Sequence, residues 1–232
     1  MRQTTRAMSG PAVQRWRVVY TRHGAAVGLA QRDAAAAWEA AIAAGGLPVA
    51  ISEGARPRPR LMFGPPLSAG FVADEELVDL FLVERLAIEQ ARGALERSLP
   101  AGHVLIGLHD VWIGAPSLAA SVVAADFRVE LGETVDDPAV SVALDALIEA
   151  DRIPRERQRG GRVSTYDLRP LIDVVRIVRG DAGSTLEMRL RIDQQGGTGR
   201  PEEVLAAMLE MSGLVLKPRA PIARGRLYLS PA

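Results

Sequence analysis

The chain has 232 residues and a mass of 24.8 kDa, with 48% hydrophobic and 24% charged residues, enough to bury a core in one large domain or two small ones. Its formal charge is zero and it has no cysteine, which excludes disulfides, thiol nucleophiles, zinc ribbons and iron–sulfur ligation by its own side chains. No apolar run approaches the roughly 20 residues that span a bilayer, and the N-terminal segment lacks the apolar centre of a signal peptide, so the expected location is the cytoplasm with no membrane partner.

Residues 15–21, RWRVVYT, alternate and are rich in β-branched and aromatic residues, which predicts a strand followed by a turn at His23-Gly24. Residues 30–46 are dense in helix formers. Ala36, Trp38, Ile42 and Ala43 are expected on the apolar stripe, Asp33 at the cap or first turn, and Gly45-Gly46 supplies the stop. LPVAIS (47–52) reads as a short buried strand. EELVDLFLV (75–83) reads as a half-exposed strand, residues 84–100 as a helix with Leu86, Ile88, Ala91 and Leu95 inward, and HVLIGLHDVWI (103–113) as a strand that buries His109 and Trp112. The order is β-α-β-β-α-β.

The second half repeats that order. A strand is expected in 116–131, a helix in 136–151 with Pro138 in its first turn, two strands in 157–178 and one in 184–192. A helix over 200–211 and a final strand over 213–229 complete it. The fold class is therefore α+β, two ferredoxin-like lobes in tandem: a tail over 1–14, a first lobe over 15–114 and a second over 115–232.

Arginine carries nearly all the positive charge, since Lys217 is the only lysine among 28 basic residues. The stretch 52–71, SEGARPRPRLMFGPPLSAGF, sets Arg56, Arg58 and Arg60 among prolines that fix their own φ and extend the residues before them. Neither Pro57 nor Pro59 can donate to a ladder, so the stretch is expected at a sheet edge. Alternation would place the three arginines on one side, a row of roughly 13 Å suited to phosphates, with Glu53 orienting one of them. A second basic strip, 155–169, offers Arg162 and Arg169 beside the stacking ring of Tyr166. The three histidines are scattered, and neither a GxxxxGK[ST] loop nor an HExxH pair is present. The expectation is a binding protein with no cofactor, no metal and no catalytic residue.

The run GLPVAISEGARPRPRLMFGPPLSAG, with GAPSLAASVVAADFRVEL (114–131) and YDLRPLI (166–172), resembles an uncharacterised bacterial domain family found fused to, or encoded beside, radical-SAM proteins. Members of that family usually begin the first helix with Ser-His-Leu-Asp and carry Phe-Asn-Pro-His-Pro-Arg. This chain has Ala30-Gln31-Arg32-Asp33 and Ala55-Arg56-Pro57-Arg58-Pro59-Arg60 at those places, so both histidines are missing. The resemblance implies the accessory half of a pair whose separately encoded radical-SAM partner supplies the cysteines, this half presenting an RNA, tRNA-like or other anionic substrate. The architecture also resembles the RAMP proteins of CRISPR systems. A free-standing RNA-binding protein of translation or ribosome assembly, and an RNA-processing enzyme, are the alternatives.

Overall fold

The computed structural model describes residues 10–53, 55–131, 137–159, 161–180, 183–193 and 197–230, and the chain divides into two units, Met1–Ser121 and Val122–Ala232. Each is an α+β arrangement of antiparallel strands and helices.

The first unit runs β1 (Gln14–Arg22), α1 (Gln31–Gly45), β2 (Leu61–Phe63), β3 (Val72–Leu82), α2 (Ile88–Ser98), β4 (His103–Val111) and the single turn α3 (Leu118–Ser121). Val18 of β1 lies opposite Val78 of β3 on one side and Leu108 of β4 on the other, while Leu61 of β2 meets Leu80, so the order is β4-β1-β3-β2. Trp38 and Ile42 of α1 and Ala91 and Leu95 of α2 share a core with Trp16 and Leu80. Each large apolar side chain buried there contributes about 1.5–3 kcal/mol. The stripe of α1 is Ala34, Trp38 and Ile42; Ala36 and Ala43 are exposed, because the i, i+4, i+8 row fixed by Trp38 leaves both outside it. Gly46, at φ 66°, ends the helix in the left-handed region. Asp33 lies in the first turn, where a carboxylate complements the helix dipole, and Ala30 is the N-cap.

Two expectations fail here. Residues 47–52 form no strand, only isolated bridges of Val49 to Leu82 and Ile51 to Pro59, because Pro48 and Pro59 remove donors a ladder needs. His109 and Trp112 are exposed, Trp112 at 75%, since Leu105 and Leu108 take the core positions of β4.

The second unit runs β5 (Val122–Glu130), α4 (Asp137–Glu149), β6 (Pro154–Arg159), β7 (Arg162–Asp167), β8 (Ile172–Gly180), β9 (Gly183–Asp193), β10 (Gly197–Thr198), α5 (Pro201–Ser212) and β11 (Ala223–Leu229). β9 pairs with β5 and β8, and β5 with β11, giving β11-β5-β9-β8, while β10 extends the end of β9. Where the sequence predicts two strands over 157–178 there are three, because β6 and β7 form a hairpin of their own between α4 and β8. The helices α4 and α5 pack together, with Val140, Leu147, Val204 and Met208 fully buried. Without the hairpin and β10, this unit has the same element and strand order as the first without α3. No helix among the described residues is long and apolar enough to cross a membrane.

Candidate functional site

In the first unit the arginine stretch lies at the outer strand of the sheet, as its prolines require, but its side chains diverge. Arg58 reaches Glu39 of α1 at 3.5 Å. Arg60 lies 4.2 Å over the ring of Phe81, which alternates with the core residues Leu80 and Leu82 and so occupies the face away from the helices. The expected one-sided row does not form, because the chain leaves regular extended geometry between the Ile51–Pro59 bridge and β2. Arg56 and Glu53 are exposed and pair with no side chain among the described residues, so Glu53 orients none of the arginines. Glu53 and Arg60 line a groove of about 680 Å³ with Pro11, Ile51 and Ser52.

On the same face, away from α1 and α2, lies a cluster that the sequence does not single out. Asp79, fully buried, accepts hydrogen bonds from Arg15 Nε at 2.8 Å and Nη2, and from Arg17 Nε at 2.8 Å and Nη2 at 3.0 Å. Arg15, 1% exposed, also donates to the carbonyls of Ala115 and of Pro116 at 2.8 Å. These bonds satisfy the cluster internally and tie β1, β3 and the 115–116 segment together, a structural role.

In the second unit the strip at 155–169 is divided among different tasks. Arg169 donates to the Ile148 carbonyl at the end of α4, at 3.2 Å from Nε and 3.1 Å from Nη2. Arg162 opens β7, and its side chain lies outside the described residues. Arg155, 9% exposed, docks the hairpin on α5 through Glu210 at 2.6 Å and Glu203 at 3.7 Å. Tyr166 is half-buried with Arg157 5.7 Å over its ring. Burial, and then the Glu203 carboxylate, push its hydroxyl pKa up. Tyr166, Arg157 and Arg200 line a small pocket of about 190 Å³.

The largest concentration of charge lies on the sheet face of this unit. Along β9 the residues Leu186, Met188 and Leu190 are buried, so Glu187, Arg189 and Arg191 point to the other side. Across the register Arg189 meets Asp126 of β5 and Glu187 meets Arg128, while β8 adds Arg176 opposite Glu187. Arg189 Nε donates to Asp126 Oδ1 at 2.8 Å and its guanidinium stacks 4.1 Å over Tyr228 of β11, whose hydroxyl donates to Asp126 Oδ2 at 2.8 Å. Each group's own hydrogen bond to Asp126 is the main cause that raises the Tyr228 and the Arg189 pKa, so the phenol stays a neutral donor. Arg226 lies 5.3 Å over the same ring and pairs with no carboxylate among the described residues. Arg176 pairs with Glu187 at 2.6 Å and Arg191 with Asp173 at 2.7 Å. Five guanidinium groups thus share this face with three carboxylates and one aromatic ring, and Arg128, Arg176, Arg189 and Arg226 line a concavity of about 520 Å³ with Asp126 and Glu187.

A family model described as "Uncharacterized protein conserved in bacteria (DUF2344)" matches residues 15–201. No curated protein matches the chain in sequence. Among solved structures, a chain of "Crystal Structure of a Cbf5-Nop10-Gar1 Complex" is similar with a TM-score of 0.44 and 9% identity over 90% of this chain and 48% of that one, so this chain spans about half of its length. "Crystal Structure of an Unknown Protein from Galdieria sulphuraria" is similar with a TM-score of 0.25 and 11% identity, over 94% and 99% of the two chains. At these scores neither likeness carries an argument about fold or function.

Proposed function

We propose, for a chain that belongs to this family of uncharacterized proteins conserved in bacteria, a non-catalytic RNA-binding role: each unit is a ferredoxin-like lobe, and the second holds an RNA or tRNA-like substrate for a separately encoded radical-SAM enzyme. The β4-β1-β3-β2 order of the first unit and the β11-β5-β9-β8 order of the second support the ferredoxin-like reading. The resemblance of the motifs at 46–70, 114–131 and 166–172 to radical-SAM-associated domains supports the partner.

The observation that carries the RNA reading is the arginine-rich sheet face. Four strands at ~4.8 Å spacing spread its guanidinium groups over roughly 14 Å, more than one phosphate wide. Arg176 and Arg191 are 67% and 58% exposed, and exposed pairs of this kind contribute only about 0–1 kcal/mol each, so a phosphate exchanges for the carboxylate at little cost. Tyr228 adds a ring on which a base can stack. Fluorescence anisotropy of the full chain with a labelled single-stranded RNA, across a salt series, tests this. The variant Arg128→Ala/Arg226→Ala should weaken binding for unrelated sequences and reduce the salt slope by about 1.4, at about 0.7 per phosphate contact. An unchanged slope removes the face from the binding surface. Co-purification of a three-cysteine radical-SAM protein that survives ribonuclease treatment tests the partner, and RNA recovered without such a protein refutes it.

A further inference from the structure

The small pocket beside the hairpin combines features that the arginine face does not have. It lies where β6 and β7 meet β10 and the start of α5, with half-buried Tyr166 as its aromatic wall. The guanidinium groups of Arg157 and Arg200 and the carboxylate of Glu203 belong to its lining, while Glu156 and Gln158 alternate along β6 to the face of the hairpin opposite Arg157 and Tyr166. The Arg157 Nε is buried and finds no hydrogen-bond partner, a donor whose desolvation is left uncompensated. Arg200 has no side-chain hydrogen bond or ion pair among the described residues, and Glu203 pairs with Arg155 at 3.7 Å. Two guanidinium groups and one carboxylate beside one ring suit a planar ligand with an acceptor edge and a donor edge. The volume of about 190 Å³ lies below the roughly 300 Å³ at which drug-sized ligand sites begin, and suits one ring system.

From this we infer that the pocket takes a single guanine base splayed out of an RNA strand. Guanine offers two adjacent acceptors, O6 and N7, which match an arginine fork, and two adjacent donors, N1–H and the N2 amine, which match a carboxylate. Arg157 and Arg200 supply the first, Glu203 the second, and Tyr166 the stacking face. Adenine has an amine where guanine has O6 and lacks the N1 proton, so it leaves a guanidinium and a carboxylate unmatched. Cytosine offers a single amine to the carboxylate and has no N7 beside its carbonyl for the arginine fork. The inference rests on the RNA-binding reading and narrows it to a strand with an unpaired guanine.

The test uses the full chain and two sets of probes: the nucleosides guanosine, adenosine and cytidine by calorimetry, and labelled oligouridylates carrying one central G, A or C by anisotropy. Nucleosides have no phosphate for the arginine face, so they report on the pocket alone. Guanosine and the G-containing strand should each bind at least about fivefold more tightly than their counterparts, the range of one good bidentate base contact. Glu203→Gln should abolish that preference and leave affinity for plain oligouridylate unchanged. Arg200→Ala should reduce it without touching the Arg155–Glu203 contact. Equal binding of the three nucleosides and three strands, selection of adenosine or cytidine, or a preference that survives Glu203→Gln would overturn the assignment. Selection of guanosine with no binding of any oligonucleotide would uphold the pocket and refute the RNA-binding reading.

Discussion

Replacing Asp79 with asparagine keeps the side-chain shape and removes the charge that holds two arginines. Arg15, at 1% exposure, cannot turn to water, and its remaining partners are the Ala115 and Pro116 carbonyls. Arg17, 12% exposed, is nearer the surface and relaxes more easily. Removing one partner of a buried ion pair costs about 3–5 kcal/mol, because the other charge stays buried and uncompensated. A domain holds only about 5–15 kcal/mol in all, so the loss takes a large part of the stability of the first unit. All three tryptophans, Trp16, Trp38 and Trp112, lie in that unit, so tryptophan fluorescence in a urea titration reports on it without interference from the second. With a slope of about 2 kcal/mol per molar, the midpoint should fall by roughly 1.5–2.5 M. The paired change Arg15→Met/Asp79→Leu should be far less damaging than Asp79→Asn, since apolar replacement of both partners is often neutral. A midpoint shift below about 0.5 M for Asp79→Asn would refute the argument that the cluster depends on its carboxylate.

Two further outcomes follow from buried and capping groups. His103 is buried against Tyr20 and Trp38, and its Nδ1 donates to the carbonyls of Pro100 and Ala101 at 3.2 and 3.3 Å. Burial is the main cause that lowers its pKa below the ordinary 6.5, so the unfolded chain takes up the proton first. Its contribution to stability is complete above pH 6.5 and declines as pH falls below it; His103→Phe should show a shallower loss between pH 7 and 5 in urea titrations, and identical pH profiles would exclude the effect. Arg169→Ala should lower stability of the second unit by about 0.5–1.5 kcal/mol, the net value of a hydrogen bond, with RNA affinity unchanged. Lost affinity at unchanged stability would assign Arg169 to the binding surface instead.

Helices were legible because their period and their stops are local: α1, α2 and α4 lie within the segments read from sequence, α5 runs one residue past its segment to Ser212, and Gly46 ends the first. The hairpin of β6 and β7 was not, because polar strands such as RERQR carry no apolar alternation by which to set their limits. Trp112 was misplaced for a related reason: an apolar run does not say which of its members face inward, and the strand register decides it. Of the candidate binding residues, the arginines at 56, 58 and 60 stood out because prolines mark them. Asp126, Arg189 and Tyr228 did not, for they come from three strands and meet only once β5 has β9 on one side and β11 on the other.

The strand order of the first unit also sets a clock for synthesis. β1 is central, flanked by β3 and β4, yet both follow it in the chain, and β4 begins only at His103. At about 5–20 residues per second, roughly 4–16 s pass on the ribosome between the end of β1 and the start of β4. Until Leu82 is made Trp16, Val18 and Tyr20 have neither of their sheet neighbours complete, and from then until β4 they have only β3, so the nascent chain is the form of this protein most in need of a chaperone, and slower translation of residues 23–102 prolongs its exposure.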